Sequence, residues 1–417
     1  MRIEHANSIR EIEAEDVLGE FGYVVPFEGD SDADRMRIIY APNGRGKTNL
    51  LRAVNLLLAP SPESFSALIE IPVRLMRITF ISGGVIQLVR KQVSGSFTVS
   101  ARLGADSESA SLTVDPSDIN ARFLRRVWDG RDDFTKYIEV VNELSSGAVF
   151  IGDDRLLLTS EDQARPDARR RSAGSVSRLL EAVERMLTQA ALASLSRESA
   201  QTGVYGEITR TTLEGASALT ATAARTELEQ QIARLLDAGT SLETYGLLSM
   251  RQVRDISAQL AVARANNARI PAVHRVLKPY FDSLEDQVET LTPVQELIDT
   301  FVTAVNRFLD RKSLEFSTSG GIRLVGRRQE HLHPESLSSG ERHLLLLVSQ
   351  AILATVERPL VIIDEPEISL GLDWQRNLIP ELLRCSASGQ VQFLVASHST
   401  QIMGSVPRDE IITPSEN

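Results

Sequence analysis

Asn43-Gly44-Arg45-Gly46-Lys47-Thr48-Asn49 places two glycines, a lysine and a hydroxyl in one short stretch, a combination suited to binding phosphate. Gly44 and Gly46 can turn backbone N–H groups toward phosphate oxygens, Lys47 can reach the β- and γ-phosphates of a nucleotide, and the Thr48 hydroxyl can hold Mg²⁺. The stretch follows the strand-like run 35–40 and opens the helix-forming run 49–58, so a helix N-terminus adds its positive dipole end. Ala41 stands where the G-x-x-x-x-G-K-[ST] pattern has its first glycine, which predicts strain if that position needs a positive φ.

Three further groups could complete a phosphate site. The apolar run Leu360-Val361-Ile362-Ile363 ends in Asp364-Glu365-Pro366-Glu367. At the C-terminal edge of a parallel sheet Asp364 can bind Mg²⁺ through water, and Glu365 can orient or deprotonate an attacking water. Taken alone, the same residues describe a buried strand running into an acidic turn. Ser338 and Glu341 form an S-x-x-E capping box within Leu337-Ser338-Ser339-Gly340-Glu341. That helix start also exposes a hydroxyl and free amides, an anion site suited to a γ-phosphate presented by another subunit. His398 closes the run Val395-Ala396-Ser397-His398-Ser399-Thr400, a strand end from which an imidazole can reach the γ-phosphate.

These groups need elements to carry them. Residues 21–26 and 35–40 read as strands, and residues 73–80 and 85–91 flank Ser82-Gly83-Gly84 as a hairpin that 97–103 and 111–114 extend into an antiparallel sheet. Residues 148–151 are one more buried strand. From about 162 to 310 the pattern is helical, with stripes at Leu180, Val183, Leu187 and Ala190 and at Leu228, Ile232 and Leu235. Thr292-Pro293-Val294-Gln295 predicts a helix start, with Val294, Ile298, Phe301, Val305 and Phe308 as its buried stripe. Pro271, Pro279 and Pro293, with Gly239 and Gly246, argue against a long coiled coil. Strands return at 313–316 and 322–325, followed by a helix at 338–356, a strand at 360–363, a helix at 372–385 and a strand at 391–395. Continuous apolar strands alternating with helices predict an α/β fold with a parallel sheet covered on both faces.

Composition narrows the function classes. The chain has 417 residues, 42% hydrophobic and 24% charged, as in a soluble globular protein of two or three domains. Its longest apolar runs fall short of the roughly 18 residues that cross a bilayer, so no membrane is expected. Met1-Arg2-Ile3-Glu4-His5 shows no apolar h-region, and Cys385 is the single cysteine, which together predict a cytoplasmic protein without disulfides. A net charge of -11 disfavours wholesale coating of a polyanion but leaves room for local basic patches, such as Arg165, Arg169, Arg170 and Arg171. His331, His333 and His343 lack cysteine or carboxylate partners at metal-ligand spacing. Asp153-Asp154-Arg155 reads equally as a lining of the nucleotide site and as a strand-end turn.

In this order the four groups resemble the nucleotide-binding head of the ABC-type ATPases of the SMC/RecF/OLD branch. Asn43 to Thr48 look like its Walker A, Leu337 to Glu341 like its signature, Asp364 to Glu367 like its Walker B, and His398 like its switch histidine. Asp364-Glu365-Pro366-Glu367-Ile368-Ser369-Leu370 and Ala396-Ser397-His398-Ser399 look most like the OLD-type ATPases of phage-defence systems. The resemblance covers about 1–160 and 310–417 and implies a P-loop ABC-type head: a mixed sheet with an antiparallel β-subdomain, interrupted by a helical insertion. The implied domains are 1–160 and 311–417 as the two halves of the head and 161–310 as the insertion. It implies ATP and Mg²⁺ as ligands. Lys47, Glu365 and His398 would be catalytic, Thr48 and Asp364 would lie at the metal, and residues 43–49 with Ser338, Ser339, Gly340 and Glu341 would hold nucleotide. It further implies a head-to-head homodimer or higher oligomer sharing ATP between Lys47 and Ser338 of different subunits. The partner expected is a separate nuclease or toxin, the alternative being a DNA-repair ATPase that clamps nucleic acid. Gly371 replaces the histidine that relatives often carry in the D-loop, no TOPRIM nuclease is expected after His398, and the resemblance implies a Mg²⁺-site glutamine for which Gln87 and Gln92 are candidates.

Overall fold

Buried and exposed side chains alternate along β1 (Ile9–Val17), whose Ile9, Ile12, Ala14 and Val17 point inward while its glutamates stay at the surface. Those glutamates dilute the β-branched signal, and the sequence pattern did not predict this strand. The computed structural model describes residues 7–27, 35–116, 131–152, 157–158, 175–199, 209–210, 219–263, 268–357, 360–387 and 391–416. They divide into two compact units, 1–179 with 334–417 and 180–333. Asp153-Asp154-Arg155 and Arg165, Arg169, Arg170 and Arg171 lie outside the described residues.

The first unit is built on two sheets. One is antiparallel, in the order β16 (Ser415–Glu416), β2 (Phe21–Pro26), β1, β4 (Leu75–Phe80), β5 (Val85–Arg90), β6 (Phe97–Arg102) and β7 (Ala110–Val114). The other runs β15 (Ile411–Ile412), β3 (Met36–Tyr40), β14 (Phe393–Ser397), β13 (Leu360–Asp364), β8 (Ala148–Ile151) and β9 (Leu157–Leu158), parallel except for the β8–β9 pair. β13 and β14 are buried along their whole length, as their unbroken apolar runs require in a sheet covered on both faces. The fold class is therefore mixed α/β, with an antiparallel layer beside a parallel sheet.

α1 (Lys47–Leu58) is apolar nearly all round, and that is a burial signal. It packs against β13, β8 and β14 of one sheet and against β1 of the other. Around it the core continues through α2 (Pro62–Glu70) and α3 (Asp132–Leu144), where Phe65 meets Phe97, Phe134 and Tyr137 at ring-centroid distances of 6.2, 6.0 and 5.9 Å. Arg90 is buried in this region. It donates to the carbonyls of Ile71 and Val93 at 2.8 and 3.0 Å and to that of Leu68, and burial pushes its guanidinium down to about 10. α8 (Ser339–Glu357) and α9 (Leu372–Cys385) pack on each other, and Cys385 is buried.

The second unit pairs α5 (Ala221–Thr244) with α7 (Ile270–Asn306), beside α6 (Arg251–Val262) and the later part of α4 (Ser175–Ser199). Leu180, Val183 and Leu187 are buried as their spacing predicts, as are Leu228, Ile232 and Leu235. Two expectations fail here. Thr292 does not cap a new helix: α7 runs through both Pro279 and Pro293, and the Thr292 hydroxyl donates to Val288 O at 2.6 Å. The apolar stripe explains the continuity, because Phe281, Leu291, Ile298 and Phe301 bury on both sides of Pro293 and offset the hydrogen bond it cannot donate. Nor do the strands after 310 group with the C-terminal half of the head. β10 (Lys312–Ser317), β11 (Gly321–Gly326) and β12 (His331–Leu332) form a sheet of the helical unit. They are tied to it by Leu314 N to Asn306 Oδ1 at 2.6 Å, Thr318 N to Tyr245 O at 3.0 Å and Ile322 N to Glu184 Oε2 at 2.9 Å. Among the described residues no helix is long and apolar enough to cross a membrane.

The aromatic cluster makes a stability prediction. Phe65 is fully buried, so Phe65→Ala should cost about 3–5 kcal/mol, read as a lower urea midpoint at an unchanged m-value.

Candidate nucleotide-binding site

Parallel register brings the ends of three strands to one edge. Ser397 of β14 pairs with Tyr40 of β3, and Ala396 of β14 pairs with Asp364 of β13. The glycine-rich loop leaves β3 at that edge and turns into α1 through Gly44 (φ 84°) and Gly46 (φ 83°), the latter in the N-cap position. Gly46 also admits close approach, since a Cβ there would stand 2.6 Å from Val17 Cγ1. Ala41 is buried and is not among the described residues with positive φ, so the strain expected of it is absent. Lys47 is 6% exposed and folds back on its own loop, its Nζ donating to Ala41 O at 2.6 Å and Pro42 O at 3.3 Å.

The antiparallel sheet braces the loop from beside it. Tyr23 Oη donates to Arg45 O at 2.5 Å, and burial pushes the phenol up to about 12. The Arg45 guanidinium lies over the Phe21 ring, 4.8 Å from its centroid, and pairs with Glu416 on β16. A cleft of about 490 Å³ opens here, lined by Phe21, Asn43, Gly44, Arg45 and Glu416. Asn49 is half-buried in the first turn of α1.

Thr48 Oγ1 donates to Asp364 Oδ2 at 2.6 Å, across 316 positions of sequence. Glu365 follows at φ 49°, its N–H bonded to Ala396 O at 2.9 Å, and its Oε1 stands 3.6 Å from His398 Nδ1. Of the residues expected from the sequence to act together, Asp364, Glu365 and His398 thus lie at adjoining strand ends, and Thr48, in the first turn of α1, reaches Asp364.

Ser338 and Glu341 form the predicted capping box, with Glu341 N donating to Ser338 Oγ at 3.2 Å and Ser338 N to Glu341 Oε2 at 2.7 Å. Ser338 and Ser339 are exposed, while Gly340 and Glu341 are buried. Gly340 is small for a steric reason: a Cβ there would meet Ser369 O at 2.6 Å. The signature-like helix start therefore abuts the turn that follows the acidic pair. Gln87 sits half-buried on β5 opposite Arg77 and Ser100, and Gln92 is exposed in the turn after it.

Two residues of this edge carried no expected role. Glu367 Oε1 accepts from Ser397 Oγ and His398 N, both at 2.8 Å, and from Ser399 N at 3.1 Å. Gln375 accepts from Ser399 Oγ at 2.7 Å and donates to Leu370 O at 2.8 Å. The signal for Glu367 was its place two residues after Glu365. Gln375, within a helix, had none.

Residues 207–404 match the family model described as "AAA domain, putative AbiEii toxin, Type IV TA system". That stretch, just under half of the chain, is similar to the family's AAA domain. The match takes in the signature-like stretch, the acidic pair and His398, whereas the glycine-rich loop precedes it and meets the matched stretch through the Thr48–Asp364 bond. Solved structures similar to the chain include an Smc head domain with an extended coiled coil bound to the C-terminal domain of ScpA, from Pyrococcus furiosus. It is 14% identical, with 98% of this chain and 96% of that one covered and a TM-score of 0.40. An SmcHead bound to the C-winged helix domain of ScpA is 11% identical over 98% of both chains, with a TM-score of 0.39. An Smc head domain with a coiled coil and joint from Pyrococcus yayanosii is 13% identical, with 98% and 96% covered and a TM-score of 0.38. No curated protein matches the chain.

Loop glycines separate two costs. Gly46 and Gly83 share a positive φ, but only Gly46 has a neighbour within 4 Å. Gly83→Ala should lose about 1–2 kcal/mol of stability, the cost of a left-handed backbone. Gly46→Ala should lose clearly more and also weaken nucleotide retention, measured by thermal denaturation and binding of a fluorescent ATP analogue.

Proposed function

We propose that this protein binds and hydrolyses ATP with Mg²⁺, and that ATP holds two copies together to gate a separate effector, a nuclease or toxin, in an anti-phage defence system. The observation that carries the ATPase reading is the 2.6 Å bond from Thr48 Oγ1 to Asp364 Oδ2. A hydroxyl and a carboxylate in contact beside a glycine-rich loop are the hard oxygen donors that suit Mg²⁺, and they are the residues that would hold it. When bound, the ion neutralises charge on the β- and γ-phosphate oxygens.

The chain's own groups then divide the work. Residues 43–49 wrap the phosphates with backbone N–H groups, and Lys47 exchanges the carbonyls of Ala41 and Pro42 for phosphate oxygens. Glu365 orients and deprotonates the attacking water, and His398 bonds the γ-phosphate from the adjoining strand end. Ser338, Ser339, Gly340 and Glu341 of a second copy complete the site. A γ-phosphate held by two chains favours the closed pair, and its hydrolysis releases them, so nucleotide state becomes position. Support for the defence reading comes from the family description, which names a toxin and a type IV TA system, and from the OLD-like runs at 364–370 and 396–399.

Two substitutions test this in the full chain. Lys47→Ala should abolish ATP retention. Glu365→Gln should still retain ATP but lower turnover at least about 10²-fold, and should accumulate an ATP-dependent dimer by light scattering. Unchanged turnover in Glu365→Gln would sink the hydrolytic reading. ATP-dependent, salt-sensitive DNA binding by the protein alone would favour a DNA clamp over an effector gate.

A further inference from the structure

Glu367 is 7% exposed, and its Oε1 serves three donors of the Ser397–Ser399 segment and lies 3.1 Å from His398 Nδ1. Its Oε2 is buried and has no hydrogen-bond partner among the described residues. As a stabilising device this is poor. Burying a carboxylate costs several kcal/mol even after relaxation, and its hydrogen bonds must first offset that cost. What the carboxylate does achieve is geometric. It gathers two backbone N–H groups and a hydroxyl at the end of β14, the three residues that carry the imidazole.

The geometry points to Glu367 as a positioning residue for ATP hydrolysis: its carboxylate sets the place and ring orientation of His398 beside Glu365. The inference deepens the proposed function and rests on it. Pro366 separates the two glutamates and limits the backbone between them. With Glu365 in the left-handed region, one carboxylate lies near the imidazole while the next turns in against the strand end. Gln375 extends the same clamp. It accepts from Ser399 Oγ and donates to Leu370 O, which ties the histidine segment to the turn at 369–371 that Gly340 abuts. Glu367 needs no contact with nucleotide for this task. It acts through His398, and displacing a reacting group by about 1 Å can cost about 10²-fold in rate.

The test uses the full chain with Glu367→Leu, Glu367→Gln, His398→Ala and the double variant Glu367→Leu/His398→Ala. Glu367→Leu leaves the Ser397 hydroxyl and the His398 and Ser399 amides without their acceptor and should lower the thermal midpoint, but ATP affinity should stay within about threefold of wild type while turnover falls about 10²-fold. Glu367→Gln keeps an acceptor for the three donors and should recover much of that loss. The double variant should be no slower than His398→Ala alone, because both remove one unit. A readout independent of turnover is the imidazole nitrogen spectrum of protein labelled at its six histidines. The signal missing in His398→Ala should be shifted in Glu367→Leu. Additive kinetic losses, or an ATP affinity that falls in parallel with turnover, would overturn the inference. If the wild-type chain hydrolyses no ATP, the proposed function fails, and an unshifted His398 signal would independently remove Glu367 from its role.

Discussion

Three parallel strands must end in register for the bond from Thr48 to Asp364 to exist. β3 delivers the glycine-rich loop, β13 the acidic pair and β14 the histidine, and the pairings Tyr40–Ser397 and Asp364–Ala396 put those ends at one edge. A slip of one residue would turn every side chain of the slipped strand to the opposite face. The unbroken burial of β13 and β14 supports the register over the whole strand rather than at its end. α1 contributes from the other side, because the helix that begins with Lys47 and Thr48 is locked between two layers by its apolar surface.

The charges at this edge need management. Asp364, Glu365 and Glu367 fall within four positions and face a region whose proposed ligand is itself a polyanion. Asp364 meets the Thr48 hydroxyl, Glu367 accepts from the backbone amides of His398 and Ser399, and Glu365 and Glu367 both face the imidazole, at 3.6 and 3.1 Å. Lys47 meanwhile rests on carbonyls rather than on a carboxylate, a neutral pairing that leaves its charge available to phosphate. Arg45 is drawn aside to Phe21 and Glu416 and so forms a wall of the cleft.

Much of the site was legible because its motifs are local. A glycine pair before Lys-Thr, an apolar run ending in two acids, and a serine three residues before a glutamate each state their geometry within a few positions, and the structure builds the turn, strand end and capping box they predict. The antiparallel hairpins around Gly83 were readable for the same reason. Legibility ended where long-range burial overrode a local signal. Pro293 after Thr292 has the local features of a helix start, yet the buried stripe of α7 carries the helix through it. β1, with its alternating glutamates, reads as polar until its neighbours bury one face.

By itself, then, the sequence determined the glycine-rich loop, the acidic strand end, the capped helix start and the alternation of apolar strands and helices, since each depends on residue type and short spacing. Only the tertiary structure decided that Thr48 meets Asp364, that the strands after 310 belong to the helical unit, and that Glu367 and Gln375 clamp the histidine segment. Those facts depend on strand order and on which backbone groups remain to be satisfied at a shared edge, and both are properties of the assembled sheets and not of any run of residues.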